Sequence, residues 1–180
     1  MLDACILVPA PLRDTLLRTA DAGLYRVRWS DAILDELERT LTGEDIRLPA
    51  HRAKQLRDQM TQHFPDASVG EFEHLIDRIR NDPKDRHVAA AAVVGKAEVI
   101  VTSNLRHFPA SVLSEHRIRS ESPDDFLVRF YYTDVGSMID IVRQQAADLK
   151  KPSHTIDEVL NHLALNIPRF VELIRRDLNL

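Results

Sequence analysis

Residues 82–109, DPKDRHVAAAAVVGKAEVIVTSNLRHFP, decide the fold class. Asp82 is suited to cap a helix with Pro83 in its first position, where a fixed φ helps and a missing N–H is no loss. The spacing predicts a helix running to Val94, with Gly95 as its stop. The alanines at 89–92 have little bulk, so that helix can lie close on a sheet. Residues 97–102, AEVIVT, then read as a strand. Their near-continuous apolar character predicts burial on both faces, as in a parallel sheet.

Upstream, residues 2–8 form a short apolar run that stops at Pro9 and reads as a buried strand. A helix is expected over 11–22, with Gly23 past its end, and a short strand over 25–29. Ser30 looks like the N-cap of a helix over 31–41, with Ile33, Leu34, Leu37 and Leu41 on one stripe and Gly43 as its stop. Helices are also expected over 50–63 and 70–80. Downstream, a short helix over 109–115, an edge strand around Ile118 and a helix opening at Ser122-Pro123 continue the alternation. This is the signature of a three-layer α/β fold, a mostly parallel central sheet flanked by helices. From about Tyr131 the alternation stops. Residues 133–150, 155–164 and 168–178 read as helices, with a short turn at 150–153. The expected organisation is therefore an α/β domain over 1–130 and a C-terminal helical extension over 131–180.

A chain of 180 residues, 44% hydrophobic and 29% charged, can build a packed core. Its formal net charge of −4 argues against a general phosphate-binding coat, although a cation held in an acidic pocket reverses the local sign. The single cysteine, Cys5, rules out an internal disulfide and has apolar neighbours. There is no 18-residue apolar run and no secretory leader, so no membrane partner and a cytoplasmic location are expected.

In an open α/β sheet, ligands sit beyond the carboxyl ends of the strands. Asp3 lies on the first strand, Asn104 follows residues 97–102, and Asp85 opens the helix leading into that strand. A hard cation such as Mg²⁺ needs oxygen ligands and keeps several waters, so two or three carboxylates and an amide suffice. Each residue also has a purely structural reading. Asp3 can make backbone bonds, and Asp85 can close a capping box or favour the positive helix end. Asn104 is a natural turn residue, and Thr102 is at home in any strand. On the helix over 31–41, Glu36 and Glu38 flank the apolar stripe on opposite sides, and helix geometry does not choose between them.

Four runs in order are more specific than any one: LDACILVPAPLRD at 2–14, WSDAILDELERTL at 29–41, residues 82–109, and SPDDFL at 122–127. Together they resemble the PIN-domain family, including the VapC-like toxins of bacterial toxin–antitoxin pairs, across residues 1–128. The resemblance implies that Asp3, Glu36 and Asp85 are the metal-binding acids, which would settle the choice between Glu36 and Glu38. It implies that Asn104 binds the metal directly or through water, and that Thr102 steadies a carboxylate. Three departures stand out. Many relatives have Asp where this chain has Asn104. Many have Asp in place of His107, which would orient water or phosphate, ligate a softer metal such as Mn²⁺, or merely fill space. Only Met1 and Leu2 precede Asp3, so the first strand is short or begins upstream.

The implied activity is Mg²⁺- or Mn²⁺-dependent hydrolysis of single-stranded RNA, leaving a 5′-phosphate and a 3′-hydroxyl. Arg13, Arg106 and His107 are the first candidates for holding the RNA backbone. The implied partner is a cognate antitoxin, with the C-terminal helices as a docking surface for it or for a second copy of this chain. Two other enzyme patterns fail. A haloacid-type phosphatase wants a second Asp where Cys5 stands, and a receiver domain wants a lysine where Leu105, Arg106 and His107 follow the strand. The alternative is a degenerate PIN domain that binds RNA or protein without cutting.

Overall fold

The computed structural model describes residues 1–149 and 155–180. The turn expected over 150–153 lies outside the described residues. The helices, in chain order, are α1 (Ala4–Leu7), α2 (Ala10–Asp21), α3 (Asp31–Thr42), α4 (Ala50–His63), α5 (Glu73–Ile76), α6 (Arg86–Val94), α7 (Ala110–Leu113), α8 (Pro123–Thr133), α9 (Val135–Asp148), α10 (Ile156–Ala164) and α11 (Pro168–Leu178). The strands are β1 (Val99–Val101) and β2 (Arg119–Glu121). Two compact units result. One comprises 1–8 and 27–121, the other 9–26 and 122–180.

In the first unit β1 and β2 pair in parallel, Val99 opposite Arg119 and Val101 opposite Glu121. Leu2 makes an isolated parallel bridge to Val101 on the other edge of β1, and Trp29 makes one to Ser68. The Leu2 N–H donates to the Arg28 carbonyl at 2.9 Å, which links the two bridges. The row of backbone partners therefore runs Ser68, Trp29, Leu2, Val101, Glu121. This is a helix-rich α/β architecture with a small parallel sheet. Residues 88–92 of α6 are buried, and α6 packs on β1. Four small side chains in succession permit that approach.

Several expected elements are shorter or different. The strand expected over 2–8 is a one-residue bridge at Leu2, after which the chain turns into α1. An apolar run that is buried all round carries no period, so the same residues suit a helical turn as well as a strand. Ala4, Ile6 and Leu7 are each at most 1% exposed. The strand expected over 25–29 reduces to the bridge at Trp29, and the helix expected over 70–80 to the single turn α5. The helix expected from Asp82 begins at Arg86, because residues 82–85 form a separate turn in which the Asp85 N–H donates to the Asp82 carbonyl at 3.0 Å. By contrast α3, α4 and α11 occupy nearly the residues expected, since an apolar stripe, a proline or a cap marks their ends.

Among the described residues, the regular elements of the second unit are all helices. Helix α2 packs on α9 and α10, and α8 on α9 and α11. Asp124, at the start of α8, accepts from the Phe170 N–H at 2.9 Å and the Arg169 N–H at 3.2 Å. It thereby satisfies donors at the opening of α11 that no intrahelical carbonyl can reach.

Helix α3 carries Glu36 and starts at a built cap: Ser30 is buried, and its Oγ accepts from the Ile33 N–H at 3.3 Å. Ser30→Ala is expected to cost about 1 kcal/mol. The check is a urea titration, in which the midpoint falls while the slope is unchanged.

Candidate metal centre

The register of the small sheet brings Asp3 beside Thr102. The Asp3 N–H donates to the Val101 carbonyl at 3.1 Å, so the residue after Leu2 and the residue after Val101 end on the same rim. Thr102 is fully buried. Its hydroxyl donates to Asp3 Oδ2 at 2.6 Å and accepts from the Asn104 N–H at 3.0 Å. That last bond fixes the direction of the hydroxyl proton, because an N–H can only donate. Cys5 Sγ donates to the same Asp3 oxygen at 3.2 Å. Burial, and then the Asp3 charge, push the Cys5 thiol up to about 11, so it stays protonated. Cys5 is a donor to an acid here and no nucleophile.

Helix α3 sorts its acids by face. Arg57, from α4, bonds Asp31 at 2.9 Å and Glu38 at 3.1 Å, and also pairs with Asp35. Glu36 stands outside that network and lines a cleft of about 690 Å³ together with Arg39, Lys84, Asp85, His87 and Asn104. Its carboxyl is raised above the ordinary glutamate value, first by burial and then by the negative charge of Asp3. His87 opposes this, and Asp85 adds to it. The field at Glu36 thus registers both other candidate acids, so the three are electrostatic neighbours.

Asp85 occupies the N-cap position of α6, yet its side chain makes no capping bond. Its Oδ2 instead takes a 2.6 Å hydrogen bond from His107 Nδ1. One side-chain atom from each of Asp82, Asp85 and His107 lies within 4.8 Å of the other two, with both His107 nitrogens already in hydrogen bonds. Asp82, read from the sequence as a cap only, is therefore a neighbour of the acidic rim. Its Oδ1 also accepts the Lys84 N–H at 3.0 Å.

The remaining candidates fall as follows. Arg106 is exposed and donates from Nε to His107 Nε2 at 3.1 Å. Arg13 belongs to the second unit, on α2, where it lines a separate cavity of about 530 Å³ with Arg18, Gln145 and His162. Burial pulls its guanidinium below the ordinary arginine value. Three cleft residues, Arg39, Lys84 and His87, were not among the candidates. Arg39 follows Glu36 by three positions on a helix, a spacing that shares a face. His87 follows Asp85 by two, which gives no such signal.

A family model described as PIN domain matches residues 1–106. The chain belongs to the PIN-domain family. A second model, described as VapC50 C-terminal domain, matches residues 123–176. The chain is also similar to a curated protein of Mycobacterium tuberculosis (strain ATCC 25618 / H37Rv) named "Putative ribonuclease VapC50". The two are 36% identical over 105 residues, which cover 58% of this chain and 62% of that protein. The match thus spans less than two thirds of the relative's length. No solved structure matches. In this PIN-domain protein Glu36, Asp85 and Asn104 line one cleft, and side-chain oxygens of that kind fit a hard divalent cation.

The raised Glu36 carboxyl has a signed consequence. Its folded state binds the proton more tightly than the unfolded chain does. The stability it contributes is complete below the ordinary glutamate value and is lost as pH rises through the raised value. Metal-free Glu36→Gln should therefore match wild type in acid and become the more stable of the two toward neutral pH. Paired thermal melts across that range, in chelator, check the sign. Divalent cation should reverse it, because only the wild-type carboxylate can ligate.

Proposed function

We propose that this chain is a divalent-metal-dependent endoribonuclease and the toxin of a toxin–antitoxin pair, acting in the cytoplasm on single-stranded RNA. The observation that carries the reading is that Glu36, Asp85 and Asn104 line one open cleft, with Asp3 tied to Asn104 through Thr102, whose hydroxyl bonds both. PIN-family membership and the similarity to a VapC50-named relative support it.

In this reading Asp3, Glu36 and Asp85 hold the cation, with Asn104 contributing its amide directly or through water. Mg²⁺ or Mn²⁺ is the cation proposed, which when bound activates water, neutralises the phosphate and stabilises the leaving oxygen. The protein's own part is positional. Thr102 holds the Asp3 carboxylate from a buried hydroxyl, and His107 holds Asp85 through Nδ1–H. Fixing the acids in advance removes the cost of ordering them when the substrate arrives. Arg39 and Lys84 supply positive charge on the cleft wall for the RNA backbone, with Arg106 and His107 beside them. The three-layer arrangement expected from the sequence is part of the same proposal. So is the antitoxin, which would cover or fill the cleft. No helix among the described residues is long and apolar enough to cross a membrane.

Asp85→Asn should weaken Mn²⁺ binding by about 10-fold or more and abolish RNA cleavage, and excess chelator should silence the wild type. Calorimetric titration and a single-stranded RNA cleavage assay on the same preparations measure both. Wild-type protein that binds RNA without cutting it, with or without metal, would replace the nuclease with the degenerate binding module.

A further inference from the structure

The cleft contains two imidazoles, and their hydrogen bonds assign them opposite roles. His107 has no lone pair to spare. The Arg106 guanidinium can only donate, so His107 Nε2, 3.1 Å from Arg106 Nε, spends its lone pair there. Nδ1 then carries the proton and donates it to Asp85. His87 is the reverse. Its Nδ1 lies 3.0 Å from the Lys84 carbonyl oxygen, which can only accept, so Nδ1 carries a proton. In the neutral ring, the form that ligates a cation, Nε2 then holds the lone pair. That atom is inaccessible to solvent and has no hydrogen-bond partner among the described residues. It faces Glu36 Oε2 at 3.6 Å, too far for a hydrogen bond of normal length.

A buried acceptor without a donor is costly, and one aimed beside a carboxylate oxygen has the geometry of half a coordination shell. Two donor atoms bound to one ion at about 2.1 Å, at angles between square and tetrahedral, stand about 3.0–3.5 Å apart. The observed 3.6 Å needs only a small closure. We propose that His87 Nε2 is a direct ligand of the cation held by Glu36, making this an oxygen-plus-nitrogen site. A mixed set of that kind favours a borderline ion such as Mn²⁺ over Mg²⁺, whose preference is for oxygen and water. The inference rests on the reading that Glu36 and Asp85 hold a cation. It adds a nitrogen donor to that site, a role the sequence suggested for His107 and gave no reason to expect of His87.

The test is pulsed electron paramagnetic resonance of Mn²⁺ bound to the full chain, with calorimetric Mn²⁺ and Mg²⁺ titrations at one neutral pH. Wild type and His107→Gln should both show nitrogen hyperfine coupling, and His87→Gln should lose it. In His87→Gln the Mn²⁺ affinity should fall by about 10-fold or more while Mg²⁺ affinity falls less, so the preference for Mn²⁺ shrinks. Coupling that persists in His87→Gln, or that disappears in His107→Gln alone, overturns the assignment. So does Mn²⁺ that binds wild type without nitrogen coupling. If that bound Mn²⁺ is still lost in Glu36→Gln, the carboxylate site stands without the histidine. Wild type that binds neither ion ends both readings. Circular dichroism confirms folding, and should His87→Gln not fold, the His107→Gln spectrum decides: surviving coupling supports His87 and lost coupling refutes it.

Discussion

The repulsion among three carboxylates at one partly buried rim is the constraint to which the rest of this site answers. Placing like charges together away from bulk water is expensive unless each is hydrogen-bonded or paired. Asp3 takes bonds from Thr102 and Cys5, and Asp85 takes one from His107. Among the described residues Glu36 has no comparable donor, and its carboxyl is raised, first by burial and then by the charge of Asp3.

Neighbouring acids are kept out of this crowd by a different device. Helix α3 carries Asp31, Asp35 and Glu38 as well as Glu36, and Arg57 engages the other three. These ion pairs are largely solvent-exposed, so their contribution to stability is small. Their consequence is electrostatic sorting. Arg57 neutralises Asp31, Asp35 and Glu38, so of the two α3 acids that line the cleft, Asp35 and Glu36, only Glu36 lacks that partner. The net negative charge of the whole chain therefore says little about the potential an RNA backbone would meet there, which depends on local cations and on any bound metal.

The backbone row of the first unit explains how residues almost a hundred positions apart meet, as Thr102 Oγ1 does Asp3 Oδ2 at 2.6 Å. Parallel pairing sets Leu2 against Val101, so the next residues, Asp3 and Thr102, emerge at the same edge. The alanine-rich α6 lies close on β1, with Asp85 at its N-cap and His87 in its first turn. A bulkier residue on the sheet-facing side of α6 would push that helix away and carry both side chains with it.

Much of the architecture was legible in the sequence wherever local chemistry was decisive. Ser30, Ser122 and Thr155 each cap the helix that follows them. Stripes and prolines marked α3, α4 and α11, and the acids Asp3, Glu36 and Asp85 could be named as candidates. The run over 2–8 misled because continuous burial erases the period that separates a strand from a helical turn. The stretch 70–80 misled because helical spacing persists there without the length or caps to sustain more than one turn. What only the tertiary structure decided is which lone pair and which proton face the cleft. Glu36 rather than Glu38 is left outside the Arg57 network, His107 is committed at both ring nitrogens, and His87 presents a bare one. Those outcomes depend on donors supplied by α4 and by the loop after β1, and on a carbonyl acceptor in the turn before α6. Hydrogen bonds select their partners by distance and direction in space, which linear spacing along the chain does not encode.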